Sequence, residues 1–343
     1  MANWSRRAAL VGGAAALARP TWAKSGADAI LEEYVGKGLA NGVVLVALGG
    51  RPEFRRAFGV ADRNTGRPIR ADDIFRIGSV TKQFTAAAVM SLAEAGRLRL
   101  DDPVAQHLAE PVPNWKAVTI RHLLGHTSGI PDFTDLRRTT ERRYLEPETL
   151  IAELSRLPLQ FEPGARFAYD NTGYVILGRV VEEVSGREFG DYLAQRLFSR
   201  AGLRRTGFVA DPPPAGRAIG YLQRDGQWSP APWASNVRQS GAGALYSTAS
   251  DQFAWQEALW AGRVISPASL SAMATEYRQH NGYGLTIWRQ AGQRRIEHSG
   301  RVAGYTAMVS RFPDKRLTVV VLSSDDGAPA DALAHDLASV WLS

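Results

Sequence analysis

Arg76-Ile77-Gly78-Ser79-Val80-Thr81-Lys82-Gln83-Phe84 opens a segment that runs on towards Ala95, and between Ile77 and Ala93 its only ionisable side chain is Lys82. The rest is apolar, small or neutral polar, which is the composition of a helix buried nearly all round. Such a helix carries one ammonium into a poorly solvated place, three residues after a serine. Positions i and i+3 of a helix share a face. A desolvated ammonium gives up its proton more easily, so this lysine is placed to act as a base or to activate the neighbouring hydroxyl. The chain carries 41 basic residues, but its lysines are only Lys24, Lys37, Lys82, Lys116 and Lys315, and only Lys82 has a serine three residues before it. Arginine keeps its proton in a protein, whereas lysine can lose it. Ser79 also reads as an ordinary helix N-cap, and on this stretch alone both readings stand.

Upstream of this segment, Asp28 to Lys37 reads as a helix. Val43 to Leu48 and Phe54 to Val60 read as a hairpin about Gly49-Gly50. Downstream, Leu100-Asp101-Asp102-Pro103 starts a short helix, and Thr119 to Leu124 forms another. Pro147 to Leu157, Asn171 to Val184 with Gly186 as C-cap, and Phe189 to Arg200 follow as helices. Asp211 to Trp233 is rich in Pro and Gly and reads as an irregular surface excursion. Ser250 is expected to cap a helix to Ala261. The pattern then turns to period two in Gly284 to Arg289, Arg294 to His298, Thr306 to Phe312 and Leu317 to Leu322, before a last helix from about Ala330 to Leu342. This predicts an α+β fold. One antiparallel sheet is built from both chain ends (about residues 27–75 and 240–343), flanked by terminal helices, with a helical insert at about 79–239. The crevice between the two parts is the natural place for a site.

Of 343 residues, 45% are hydrophobic, an ordinary globular share. There is no cysteine, which excludes disulfides, thiolate metal ligands and a thiol nucleophile. Residues 1–23 read as an export signal. Arg6-Arg7 precede the apolar run Ala8 to Ala18, with Thr21 at −3 of a cleavage after Ala23. The paired arginines suggest the twin-arginine route and a periplasmic or secreted protein made of residues 24–343. The apolar run is too short for a stable membrane span. Net charge is +7; loss of Arg6, Arg7 and Arg19 leaves +4. The arginine pairs Arg137-Arg138, Arg142-Arg143, Arg204-Arg205 and Arg294-Arg295 are scattered and read as solvated surface, without the basic stripe a nucleic-acid partner would need.

Two more places carry chemistry. Tyr169-Asp170-Asn171 joins an extended run to a helix. A phenol can act as a base beside a cation, and an asparagine amide offers both a donor and an acceptor. Taken alone, this is also an ordinary packed tyrosine and a helix cap. His298-Ser299-Gly300-Arg301 ends a strand. Gly300 would let a substrate approach the strand edge, and the amides of Arg301 and Ser79 could receive an oxyanion. Alone, it is also a strand ending in a glycine turn.

Together, Ser79-x-x-Lys82, Tyr169-x-Asn171 and His298-Ser299-Gly300 resemble the serine β-lactamase and penicillin-binding-protein superfamily. The flanks Ser79 to Thr85, Leu123 to Ile130, Glu162-Pro163-Gly164 and Gly241 to Asp251 look like its class C β-lactamase and DD-peptidase branch. The resemblance covers roughly Ala40 to Ser323. It implies a β-lactamase-like fold and an acyl-enzyme serine hydrolase needing no cofactor, acting on a peptide or small-molecule amide or ester. Ser79 would be the nucleophile, and Lys82 and Tyr169 would move its proton. Asn171, His298, Ser299 and Gly300 would hold the substrate. His298 departs from the family's usual lysine and looks like the DD-carboxypeptidase, D-aminopeptidase and esterase-like members. It would favour a substrate carboxylate only when protonated.

His122 and His126 have the i, i+4 spacing of a zinc helix but lack the accompanying glutamate. The expectation is therefore no metal, with His126 bonded to backbone in a loop. Asp325-Asp326 reads as an exposed strand end. A second class of function also fits: a catalytically silent protein on the same fold that binds peptidoglycan peptides or penicillin. Oligomeric state is not legible.

Overall fold

The computed structural model describes residues 21–135, 146–209, 212–233 and 240–343. The export signal up to residue 20, and the pairs Arg137-Arg138 and Arg142-Arg143, lie outside the described residues.

Val43, Leu45 and Ala47 alternate with Val44 and Val46, and all are buried, so this strand is covered on both faces. It lies inside a six-stranded antiparallel sheet. The order is Thr286–Gln290, Gln293–Val302, Tyr305–Phe312, Leu317–Ser323, Gly42–Leu48 and Arg51–Phe58. The chain's first strand therefore pairs with its last, Gly42 opposite Ser323 and Leu48 opposite Leu317. One face packs under the helices Thr21–Gly36 and Ala330–Leu342 through Ala27, Leu31, Val44, Val319, Leu333 and Leu337. The other face, with Leu45, Val320 and Leu322, joins a larger core shared with the helical part. This is the expected fold: a β-lactamase-like antiparallel sheet flanked by helices.

The segment that opened the reading is a 3-10 turn, Gly78–Val80, running into the helix Thr81–Glu94. Every residue from Thr81 to Leu92 is buried. Ser79 makes no capping hydrogen bond, so the N-cap reading fails and its hydroxyl is left for other partners. Behind the helix, Phe84 stacks on Trp255 at 4.0 Å, and Gln83 Oε1 accepts from Gln256 Nε2 at 2.8 Å. These contacts fix the helix axis. In the insert, the helix Asn171–Ser185 ends at Gly186 in the left-handed conformation (φ 69°), as a C-cap requires.

Several expectations need correction. The second strand starts earlier, at Arg51, and breaks after Phe58 at Gly59, where the Asn41 amide fills the space a side chain would need. The excursion up to Trp233 contains a hairpin, Tyr221–Arg224 with Gln227–Pro230. Its turn residues Asp225 and Gly226 have φ of 50° and 76°, the type I′ signature of an Asp-Gly pair. Thr248, not Ser250, caps the helix Ala249–Trp260, by accepting from Asp251 N–H. Asp325 is buried, and its Oδ1 accepts from Gly327 N–H at 2.9 Å. Arg295 is not solvated: it pairs with buried Glu297 at 3.1 Å. No helix among the described residues is long and apolar enough to cross a membrane.

Candidate active site

Ser79 and Lys82 stand one turn apart, with Nζ 3.1 Å from Oγ. Lys82 is fully buried. Its Nζ donates to Asn171 Oδ1 and to the Ala242 carbonyl, each at 2.9 Å. The central helix itself brings that carbonyl in. Thr81 Oγ1 accepts Leu245 N–H at 3.2 Å, and Thr85 Oγ1 donates to the Gly241 carbonyl at 2.6 Å, so the small residues 241–245 are clamped along its first turn. Burial pushes the Lys82 pKa down to about 7, and Asp132 and Asp170 partly oppose this. The rings of Tyr169 and Tyr174 lie 4.9 and 5.5 Å from Nζ and give the ammonium some cation-π support.

Tyr169 keeps 41% of its surface exposed, while burial dominates the shift of its hydroxyl, raising its pKa, with a hydrogen bond to Ser79 pulling the other way. A side chain in the wall of an open crevice satisfies both observations, and the phenol keeps its proton at neutral pH. Its ring is stacked on His126 at 4.6 Å. His126 is buried and neutral, its pKa well below the usual value because of burial. Its Nδ1 accepts Asp170 N–H at 3.1 Å, so it braces the tyrosine loop from behind. This is the backbone role expected of it. His122 Nδ1 accepts Thr119 N–H and closes a capping box on the helix Ile120–Leu124. The two histidines thus face separate tasks, and no cluster of three metal-ligating side chains occurs among the described residues.

The sheet supplies the third side. His298 faces Tyr169 with ring centroids 6.4 Å apart. Its Nδ1 donates to the Ser299 carbonyl at 2.6 Å, which leaves Nε2 as an acceptor. Burial and the nearby Lys82 push its pKa down to about 4, so it carries no charge at neutral pH. Beyond Glu297, the strand of His298 pairs with no strand on the side that Thr286–Gln290 occupies before it. Ser299 is exposed along that stretch. Gly300 and Gly78 let the strand and the Ser79 turn touch backbone to backbone. A Cβ on Gly300 would lie 2.0 Å from the Ile77 carbonyl oxygen and 3.2 Å from Ser79 N, and one on Gly78 would lie 2.8 Å from Arg301 N. The amides of Ser79 and Arg301 therefore belong to neighbouring backbones.

Of the side chains singled out in the sequence, those of Ser79, Lys82, Tyr169, Asn171 and His298 meet at this one crevice, whereas His122 does not. The sequence did not reveal the two acids behind it. Asp132 accepts from Asn171 N–H at 2.8 Å and from Asn171 Nδ2 at 2.9 Å. Asp170 is buried, and Ser128 donates to its Oδ2 at 3.2 Å while Oδ1 has no partner. Burial and Asp132 push its pKa up to about 7. The only signal was position: one follows Pro131 in the loop after His126, and the other separates Tyr169 from Asn171.

Residues 27–340 match the Beta-lactamase family, and the chain belongs to it. It is 30% identical over 316 residues to a penicillin-binding protein of Bacillus subtilis, across 83% of this chain and 68% of that one. It is 30% identical over 285 residues to Esterase EstB of Burkholderia gladioli, across 72% of each. The crystal structure of a penicillin-binding protein from Bacillus halodurans superposes with a TM-score of 0.81 at 30% identity, covering 92% of this chain and 98% of that one.

Proposed function

We propose that the chain is a serine hydrolase that opens amides or esters through an acyl-enzyme on Ser79. The observation that carries this is the Ser79–Lys82 contact of 3.1 Å at a lysine whose pKa is about 7. A base poised near the working pH is the one general-base catalysis favours. Lys82 takes the Ser79 proton as Oγ attacks the carbonyl. Tyr169, protonated at neutral pH, gives its proton to the leaving group and is reprotonated by the one Lys82 took from Ser79, and water later hydrolyses the ester. The Ser79 and Arg301 amides receive the oxyanion. Asn171 orients Lys82, and His298 Nε2, Ser299 and Gly300 line the bound acyl group.

The neutral His298 gives this reading its substrate preference. A substrate carboxylate finds no cation at His298, so esters and amides that lack a carboxylate are favoured over β-lactams and D-Ala-D-Ala peptides. The test is a turnover panel at pH 7 with p-nitrophenyl esters, D-amino-acid amides, nitrocefin and a D-Ala-D-Ala peptide. A substrate without a carboxylate is expected to lead by about tenfold or more in kcat/KM, the ratio that 1.4 kcal/mol supports. A carboxylate-bearing substrate in the lead contradicts the preference, and turnover undiminished in Ser79→Ala contradicts the mechanism. The site belongs to residues 24–343, with residues 1–23 directing export and removed in the course of it. Cell fractionation of an Arg6→Lys, Arg7→Lys variant tests that route, and export unaffected by the change would rule it out.

A further inference from the structure

Lys82 Nζ touches two carbonyl-type oxygens, Asn171 Oδ1 and Ala242 O, besides Ser79 Oγ. A neutral amine has two N–H bonds and one lone pair, and these oxygens can only accept. Both N–H bonds are therefore spent on them, and the lone pair is turned to Ser79 Oγ. That orientation holds only while Asn171 shows Lys82 its oxygen. An amide has nearly the same shape when flipped, and a flipped Asn171 would set N–H against N–H and turn the amine away from the serine.

We infer that Asp132 is a positioning residue that locks the Asn171 amide, and through it aims the Lys82 lone pair at Ser79. Asp132 Oδ2 accepts from Asn171 Nδ2 at 2.9 Å and from Asn171 N–H at 2.8 Å, so one oxygen grips the asparagine at both ends. Its other oxygen accepts from Thr134 N–H at 2.8 Å and Thr134 Oγ1 at 2.9 Å. Each of these contacts is a donation to the carboxylate, which leaves it nothing to offer a flipped Asn171. The loop cannot easily drift. Thr172 Oγ1 accepts Phe133 N–H at 2.9 Å and donates to the Pro131 carbonyl at 3.0 Å, pinning the residues on either side of Asp132 to the start of the helix Asn171–Ser185. The site at the N-terminus of that helix also favours a negative charge.

This rests on Ser79 and Lys82 acting as proposed above, and the test separates the two. The probe is a fluorophosphonate, and the rate of Ser79 labelling is followed from pH 5 to 9 in wild type, Asp132→Ala and Asp132→Asn. The turnover of an ester gives kcat and KM. Besides Asp132, the groups facing Lys82 are Asp170, His298, His126, and the rings of Tyr169 and Tyr174, and none of these changes in the variants. Asp132→Ala is expected to label about tenfold more slowly or worse on the alkaline plateau, with kcat lowered and KM within about threefold. Asp132→Asn keeps an acceptor and recovers part of the rate. Its acid limb moves to lower pH, because the charge that helps Lys82 hold its proton is gone. If wild type does not label, the reading of Ser79 fails. If wild type labels and both variants match it in rate and acid limb, Asp132 has no such role. Should Asp132→Ala not fold, a plateau labelling rate in Asp132→Asn equal to that of wild type overturns the inference by itself.

Discussion

At Lys82, burial on every side removes the water that would hold a third proton, and the carboxylates of Asp132 and Asp170 restore only part of that support. The folded pKa of about 7 follows from this balance, and so does a pH dependence. The base works unprotonated, so kcat/KM should rise with pH through a midpoint near 7, and a profile flat from pH 6 to 8 would contradict the assignment. Lys82→Ala should lower kcat by about 10² to 10⁴, the usual cost of removing a general base. A residue's chemistry was legible in the sequence where its type was unusual for its surroundings: one lysine in an apolar helix, and a histidine in a lysine's place. It was not legible where tertiary placement decides. Ala242 contributes a carbonyl that any residue has, and Asp132 reaches Asn171 across 39 residues of chain. The uncharged state of His298 comes from burial, which its neighbours in sequence do not announce.

Among the elements, the strands and helices whose period is strong lie close to where the sequence put them, and the terminal helix Ala330–Leu342 has the bounds read for it. The misses have local causes. The Asp225-Gly226 turn was hidden in a stretch rich in Pro and Gly, and Thr248 takes the cap because it faces Asp251 N–H. The contact that matters most for the site joins the strand Gln293–Val302 to the turn Gly78–Val80. It is possible only because two glycines face each other's backbones. Gly300→Ala would drive a methyl group into the Ile77 carbonyl, so strand and turn must part. Overpacking of this kind costs about 1–3 kcal/mol. The expected result is a lower melting temperature together with a loss of turnover of about 10² or more, since both amides proposed to receive the oxyanion move. Wild-type turnover in a folded Gly300→Ala would show that this backbone contact does not shape the site.

On the scale of the whole molecule, pairing the first strand with the last closes the sheet and sets the helical part over one face, with the crevice at their junction. Joining distant parts of the chain there buries groups that would rather be solvated. Asp170 is the clearest case. Its folded pKa of about 7 lies above the usual carboxylate value. Ionising it therefore costs more in the fold than in the unfolded chain, and the stability linked to its neutral form is present at pH 4 and is lost as pH rises towards 7. Asp170→Asn, which keeps an oxygen to accept from Ser128 and carries no charge, should match wild type in chemical denaturation near pH 4. At pH 8 it should gain on the order of a few kcal/mol. An equal difference at both pH values would contradict the burial argument. The proposed chemistry requires Ser79 to be the nucleophile at this junction. Intact-protein mass spectrometry after exposure to a fluorophosphonate tests that claim most directly. One phosphonyl group on wild type, located to Ser79 and absent from a folded Ser79→Ala, is the expected result. An unlabelled wild type, or a Ser79→Ala that still takes the label, would contradict it.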